Sequence, residues 1–265
     1  IDKLGTFTDN IFTIFGTSVH EVIQAYLVCY YERTIKEADA LPLEDILKYR
    51  MAENYKTAKL ESEVELSITL QDMKDFFQDG VNMINEFKKR KSGYFPKKNT
   101  ELVGVEMSVE YDLPNNMNFN GYMDVVIHHK VTGRIKIIDI KTSTMGWNKW
   151  MKKDKNKTNQ LLLYKQFYSK QYDHPIERIE VEYFIVKRKL WEKAMFPQKR
   201  VQKFVPANGT PSINQVTKRL AEFIEECFTS DGEYNTEHIY IKQPSKKNCR
   251  WCEFNQTEHC DVGVI

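Results

Sequence analysis

The sequence predicts an α/β fold in which a central β-sheet is flanked by helices. Apolar residues recur at helical spacing near both ends of the chain, and apolar and polar residues alternate with a period of two in its centre. The resulting order of helices, three strands, a helix, a strand and a helix is typical of α/β proteins. With 265 residues, the chain is long enough to bury a core without disulfides, and we expect a single domain, 1–265.

The N-terminal third is predicted to be helical. In residues 10–35 the apolar side chains of Val19, Ile23 and Leu27 lie at helical spacing. Residues 37–92 are predicted as a helical insertion lobe. Its first part, residues 37–79, holds 11 acidic residues against 5 basic ones, so we expect a solvated lobe rather than core.

The centre of the chain is predicted to form a three-stranded meander. Alternation marks strands at 101–111, 120–129 and 134–142, with turns between them. The remaining predicted elements are a helix at 158–172, strands at 178–188 and 199–205, and a helix at 212–228 that has Cys227 on its apolar side.

Composition excludes several classes of protein. The apolar fraction of 41% and the charged fraction of 29% exclude disordered and collagen-like chains. We expect no membrane span, because no stretch approaches about 20 consecutive apolar residues. The first ten residues lack the features of a signal peptide, which favours a cytoplasmic protein.

Two carboxylates and a lysine carry the most specific pattern. Asp124 lies in the second predicted strand, and Asp139 and Lys141 lie two apart on one face of the third. A hairpin between the two strands would bring the carboxylates together, where they repel unless a cation neutralises them. Oxygen ligands of this kind suit Mg²⁺ or Mn²⁺. Taken alone, Asp139 and Lys141 fit an exposed ion pair better than a catalytic site, and the accompanying motifs strengthen the pattern.

Further motifs flank this pattern. His20 follows Gly16 in the first helix, Gly121 precedes Asp124, and Gln160 and Tyr164 share a face of the helix at 158–172. The succession Gly-x-x-x-His, Gly-x-x-Asp, Asp-x-Lys and Gln-x-x-x-Tyr resembles the RecB-like branch of the PD-(D/E)XK nucleases, which includes the nuclease domains of RecB and AddB. The resemblance covers residues 16 to about 188. It implies a restriction-endonuclease-like core with a central mixed sheet.

The resemblance also implies a metal centre. Asp124, Asp139 and the main-chain carbonyl of Ile140 would hold Mg²⁺ or Mn²⁺, and His20 would add a ligand. Glu106, in the preceding strand, is a candidate outer ligand, although a half-exposed strand glutamate is an equal alternative.

The remaining motif residues would act on the substrate. By the same resemblance, Lys141 would position or activate the attacking water, and Gln160 and Tyr164 would contact the DNA backbone or support the site. The chemistry implied is metal-assisted hydrolysis of a phosphodiester bond.

Two basic segments favour a polyanionic substrate. Residues 149–157 carry five Lys and one Asp, and residues 187–203 carry seven basic residues and one acid, with aromatic residues interleaved in both. The alternative is a pair of solvated loops with buried tryptophans. The predicted nucleic-acid contacts are Trp147, Lys149, Lys152, Lys153, Lys155, Lys187 and Arg188.

The tail at 242–265 is predicted to bind a metal. Cys249, Cys252 and Cys260 have the spacing C-x2-C-x7-C, with His259 beside the last. The resemblance implies a [4Fe–4S] cluster whose fourth cysteine precedes the motif histidine, yet residues 1–19 hold none. The open alternatives are a cysteine before Ile1, Cys29, a zinc site completed by His259 or His238, or free thiols.

These observations predict a metal-dependent DNA nuclease. We expect an exonuclease that acts on single-stranded DNA or DNA ends in replication, recombination or repair. The chain has no Walker A sequence, so any helicase or recombination partner would be a separate protein. The alternatives are an RNA endonuclease of the cap-snatching type and an inactive nucleic-acid-binding module of the same fold. The lysine- and asparagine-rich composition also suits a phage or viral member.

Overall fold

A computed structural model describes residues 9–62, 64–191, 193–239, 241–250 and 252–264. Most of the stretch examined for a signal peptide, residues 1–8, lies outside this part. The described helices are α1 (Ile11–Glu32), α2 (Ile35–Ala40), α3 (Leu43–Glu61), α4 (Leu70–Tyr94), α5 (Lys149–Lys153), α6 (Lys155–Gln171), α7 (Thr210–Cys227) and α8 (Lys246–Cys249), with a 3₁₀ turn at Ile176–Arg178. The strands are β1 (Thr100–Leu113), β2 (Met117–His129), β3 (Arg134–Ser143), β4 (Ile179–Lys187) and β5 (Val201–Phe204).

The predicted α/β fold is confirmed as a five-stranded mixed sheet flanked by helices. The strands lie in the order β1-β2-β3-β4-β5, and only β3 and β4 are parallel. Parallel neighbours require a crossover connection, which α5 and α6 supply. The β1–β3 meander was therefore predictable from period-two alternation, whereas the place of β4 in the sheet depends on this crossover.

Polar caps fix where the long helices begin. The Asn10 side chain accepts hydrogen bonds from the main-chain N–H groups of Phe12 and Thr13. The Thr13 hydroxyl oxygen in turn accepts a hydrogen bond from the Asn10 N–H. Thr69 and Asp72 form the same reciprocal box at the start of α4. Such caps satisfy N–H groups that have no partner within the helix.

Two apolar clusters hold the helices to the two faces of the sheet. The larger one joins α1, α3 and α4 to one face and includes Phe15, Leu47, Phe87, Ile140 and Phe184. The other joins α6 to the opposite face through Leu161, Phe167 and Tyr183, among others. The motif residues of α1 and of α6 therefore come from elements on opposite faces of the sheet.

The helices between residues 43 and 94 are more closely integrated with the sheet than a separate lobe would be. Leu47, Met51, Ile84 and Phe87 are buried in the same cluster as strand residues of β2 to β4. The acidic composition of 37–79 thus describes the outer faces of these helices. The assignment of 37–92 as an insertion stays a prediction.

One described helix could span a membrane by length and composition. In α1, which has 22 residues, an 18-residue window reaches a mean hydropathy of 1.3, although we expected no such stretch. However, 56% of that window is buried against the rest of the protein. Burial of this kind is what a core helix needs, so the composition of α1 is weak support for a membrane location.

Candidate active site

The pairing of β2 with β3 ends at Val125 and Ile138, and directly beyond it Asp124 lies beside the main chain of β3. Asp124 Oδ2 accepts a hydrogen bond of 2.6 Å from the Ile140 N–H and lies 3.7 Å from His20 Nδ1. The hairpin predicted from the sequence therefore forms, and α1 places His20 over it. The Ile140 N–H donates to Asp124, and the use of the Ile140 carbonyl as a metal ligand stays a prediction.

Asp139 is the most deeply buried acid of the group. Its side chain is 3% exposed, and its Oδ1 accepts a hydrogen bond of 3.1 Å from Lys141 Nζ. The lysine ammonium also lies 2.9 Å from Oδ2, yet Oδ2 accepts no hydrogen bond from any described group. The ammonium therefore offsets the charge of Oδ2 without donating a hydrogen bond to it, and a buried oxygen that accepts none marks a place where a further cation or donor fits.

Burial sets the protonation of the two carboxylates and of His20. It raises the pKa of Asp139 and that of Asp124 to about 6. The charge of Asp124 adds to the rise for Asp139, and the charge of Glu106 adds to the rise for Asp124, while the charge of Lys141 opposes both. Burial also lowers the pKa of His20 to about 4, so that its imidazole is neutral at pH 7. A neutral imidazole is the form that binds metal ions.

Lys141 is a cation linked to α6. Desolvation pulls its pKa down, but the charge of Asp139 and the hydrogen bond to it outweigh burial and hold the pKa above its ordinary value. Lys141 Nζ also donates to Gln160 Oε1 at 3.2 Å, and Gln160 Nε2 donates to the Tyr164 hydroxyl at 3.0 Å. A protonated amine cannot accept a proton, so Lys141 can orient or neutralise charge but cannot act as a base in this state.

Glu106 faces the same centre from β1. Its charge raises the pKa values of His20 and Asp124, and its backbone has φ 47°, a left-handed conformation that is uncommon for a glutamate. Gln24, which is 5% exposed, donates from Nε2 to Glu106 Oε1 and to the Asp124 main-chain oxygen. The sequence interpretation missed Gln24, although it lies four residues after His20 and therefore on the same helix face.

Two glycines of the sequence motifs permit the close approach of these elements. A Cβ at Gly16 would lie 3.1 Å from Thr142 Oγ1, and a Cβ at Gly121 would lie 2.6 Å from Cε1 of Tyr164. Gly16 thus lets α1 approach β3, and Gly121 leaves room for the ring of Tyr164.

The donor set fits a divalent cation of the Mg²⁺ or Mn²⁺ kind. Within the described ranges, no three His, Cys, Asp or Glu side chains are already gathered at metal-binding distances. Lys141 occupies the space beside Asp139 instead. Oδ2 of Asp139, the carboxylate of Asp124 and the neutral His20 nevertheless offer oxygen and nitrogen ligands at one place.

Comparison with models of protein families shows to which family the chain belongs. The family model of the PD-(D/E)XK nuclease superfamily matches residues 6–257. The chain belongs to the PD-(D/E)XK nuclease superfamily. Among solved structures, the chain is similar to a crystal structure of a candidate exonuclease from Eubacterium rectale, with 12% identity and a TM-score of 0.41. The similarity covers 78% of this chain and 65% of that one. The comparison with curated proteins found no match.

Two of the predicted nucleic-acid contacts of this superfamily member, Trp147 and Arg188, are largely enclosed by the protein. Trp147 is 7% exposed and packs against Tyr183 and Phe204, so its ring is not available for stacking. Arg188 is 13% exposed and pairs with Asp79 of α4 at 2.7 Å. Both residues are therefore enclosed by their neighbours in the fold and contribute to packing. The composition of the segments does not reveal these neighbours.

The other predicted contacts lie at or near the surface. Lys149, Lys153 and Lys155 are exposed, whereas Lys152 and Lys187 are half-buried. Trp150 is 69% exposed with Lys149 Nζ 5.0 Å from its ring centre. The exposed aromatic residue of this segment is therefore Trp150 and not Trp147.

The tail cysteines line one cavity. Cys249, Cys252, Cys260 and His259 surround a space of about 390 Å³, and Cys29 and His238 are not among the described residues that line it. Cys29 packs instead against the larger apolar cluster. No three described ligand groups of the tail are within binding distance of a common point. Whether the tail of this PD-(D/E)XK protein binds a metal stays a prediction.

Proposed function

We propose that this PD-(D/E)XK protein is a metal-dependent deoxyribonuclease of the RecB-like branch. The observation that carries the proposal is the convergence of two buried carboxylates, Asp124 and Asp139, with a neutral His20 and a protonated Lys141. Exonucleolytic action on single-stranded DNA or DNA ends, in cytoplasmic replication, recombination or repair, is part of the same proposal. Burying these carboxylates and this ammonium together costs desolvation free energy, which a bound ligand would offset.

The proposed metal ligands are Asp124, Asp139, the Ile140 carbonyl and His20, with Glu106 as an outer ligand. A bound Mg²⁺ or Mn²⁺ would supply Lewis-acid activation of water and offset charge on the phosphate. Gln24 would hold Glu106 in place through its hydrogen bond.

Lys141, Gln160 and Tyr164 act as one hydrogen-bonded unit in this proposal. The Lys141 ammonium holds the attacking water or a phosphate oxygen and neutralises charge that develops on phosphorus. Gln160 fixes the ammonium from α6, and Tyr164 fixes Gln160. Because Lys141 is protonated, the proton leaving the nucleophile goes to another acceptor.

Exposed basic and aromatic side chains next to this centre suit an unpaired strand. Lys149, Lys153 and Lys155 would contact phosphates, and Trp150 would stack on a base. Trp191 and Phe196, which are 60% and 78% exposed between β4 and β5, offer two further rings. A separate helicase or recombination protein would supply strands where the substrate is duplex.

The cavity of the tail is the proposed second metal site. Cys249, Cys252 and Cys260 would bind a [4Fe–4S] cluster or Zn²⁺, with His259 as the nearest fourth ligand on the same cavity. The position of Cys29 in the main apolar cluster argues against its use as that ligand.

The experiment that tests the function is a substrate panel. The purified chain is incubated with end-labelled single-stranded DNA, duplex DNA, circular single-stranded DNA and RNA, each with Mg²⁺, Mn²⁺ or EDTA. We expect metal-dependent release of nucleotides from linear DNA and none from circles or in EDTA. Cleavage of RNA alone would favour the cap-snatching type of endonuclease, and binding without cleavage would favour an inactive module.

A further inference from the structure

Three adjoining cavities form a groove along the edge strand β5. They have volumes of about 420, 480 and 610 Å³. The first two share Gly93, Tyr94 and Lys203, and the last two share Lys89 and Arg90. We call this continuous depression, between the C-terminal part of α4 and β5, the β5 groove.

The β5 groove is strongly basic. Lys89, Arg90, Lys199 and Lys203 line its middle cavity, and no acidic residue is among the described residues there. The end cavities add Arg134 and Lys136 with Glu180 on one side, and Arg200 with Glu86 on the other. The whole chain carries a formal charge of only +2, so the groove is a local excess of positive charge.

Part of this charge has no ion-pair partner among the described residues. Arg90 pairs with Glu86, and Lys203 lies 3.4 Å from Glu182. Lys89 and Lys199 are exposed, and neither forms an ion pair with a described residue. Unpaired lysines on facing walls, one on α4 and one before β5, favour an anionic ligand lying between them.

One end of the groove is connected to the candidate active site. The Arg200 guanidinium donates to the main-chain oxygens of Lys187 and Arg188. The Arg188 N–H donates in turn to the oxygen of Ser143, two residues beyond Lys141 in β3. These hydrogen bonds place this end of the groove beside the end of β3, two residues from Lys141.

We propose that the β5 groove binds the phosphodiester backbone of a single nucleic-acid strand outside the cleavage centre. The inference rests on the proposed nuclease function and extends it to a second contact surface. An extended polyanion matches both the length of the groove and its charge, and lysines contact phosphates without reading sequence. Tyr94, half-buried in the middle of the groove, gives a ring beside the backbone.

The first test measures binding without cleavage. The double variant Lys89→Ala/Lys199→Ala is compared with wild type by fluorescence anisotropy in EDTA, with single-stranded DNA and RNA of about 30 nucleotides. We expect affinity to fall about tenfold at roughly 0.1 M salt for either nucleic acid. The salt slope should fall by about 1.4, since two phosphate contacts are lost at about 0.7 each on a single strand. Lys48→Ala/Lys59→Ala is the matched control, since both lysines are exposed on α3 outside the groove.

The second test separates the groove from catalysis. With Mg²⁺ or Mn²⁺, the groove variant should cleave an oligonucleotide of about 5 nucleotides at the wild-type rate and a long one more slowly, because only the long strand reaches the groove. Wild-type affinity or wild-type cleavage of the long strand by this variant would overturn the proposal. If wild type itself cleaves nothing, the nuclease function fails, while the binding comparison still decides the groove.

Discussion

At the scale of single residues, the candidate site buries two carboxylates, Asp124 and Asp139, beside the ammonium of Lys141. Asp124 and Asp139 have raised pKa values because burial penalises their charged forms. Glu106 adds a third acid in a left-handed conformation. Proteins retain such arrangements where a ligand or a reaction uses them.

This arrangement predicts that Asp139→Asn stabilises the metal-free protein at neutral pH. A carboxyl whose folded pKa is raised to about 6 stabilises the fold below its unfolded pKa, and that stability is lost as pH rises through about 6. Asn keeps the shape and removes the charge. The difference in melting temperature between variant and wild type in EDTA should therefore grow from about pH 4 to pH 7, towards a free-energy gain on the order of 1–3 kcal/mol.

The control for this change is Asp231→Asn, because Asp231 is exposed. Its melting temperature should follow that of wild type across the range. A pH-independent difference for Asp139→Asn would mean that the buried charge at this position does not cost stability.

The sequence predicted the site where spacing alone decides which side chains share a face. Asp139 and Lys141 in a strand, and Gln160 and Tyr164 in a helix, meet as their periodicities require. The sequence left open whether Trp147 is buried, because its burial depends on Tyr183, in a distant strand. The left-handed backbone of Glu106 also depends on tertiary contacts that local sequence does not encode.

At the scale of elements, motif glycines set the distances between strands and helices. Gly121 of β2 lies against the ring of Tyr164, which anchors α6 and through Gln160 holds Lys141. The approach of α6 to the sheet therefore controls the position of a catalytic cation.

Gly121→Ala should accordingly impair both stability and cleavage. The new methyl group would lie 2.6 Å from a buried ring carbon, so Tyr164 must move, at a cost of about 1–3 kcal/mol. We expect at least a tenfold loss of cleavage rate, measured with the melting temperature of the same protein.

Gly93→Ala in α4 is the matched control, because a Cβ there meets no atom within 4 Å. Alanine is also the better helix former, so this variant should melt at or above the wild-type temperature. Equal behaviour of the two variants would show that the contact with Tyr164 does not position the site.

At the scale of the whole molecule, the question is what holds the C-terminal tail, residues 242–265, in place. Few of its described residues are buried, and Cys249 is the buried one among the three tail cysteines. A metal held by the cysteines around the tail cavity would fasten this end of the chain.

Cys252→Ser tests that idea, since Cys252 is exposed. An exposed thiol without a ligand role should tolerate the change within about 0.5 kcal/mol. We expect instead a melting temperature lower by several degrees and a loss of bound iron or zinc, determined by metal analysis. The half-buried Cys227 is the comparison, and Cys227→Ser should keep the metal. Unchanged metal content in Cys252→Ser would identify free thiols.

The central claim is that Asp139 completes a divalent-metal site for phosphodiester hydrolysis. Its most direct test is single-turnover cleavage of end-labelled single-stranded DNA by wild type and by Asp139→Asn, with Mg²⁺ or Mn²⁺ and with EDTA. We predict cleavage by wild type only when metal is present, no cleavage by the variant under any condition, and DNA binding by both. Cleavage by Asp139→Asn at the wild-type rate, or cleavage by wild type in EDTA, would contradict the account.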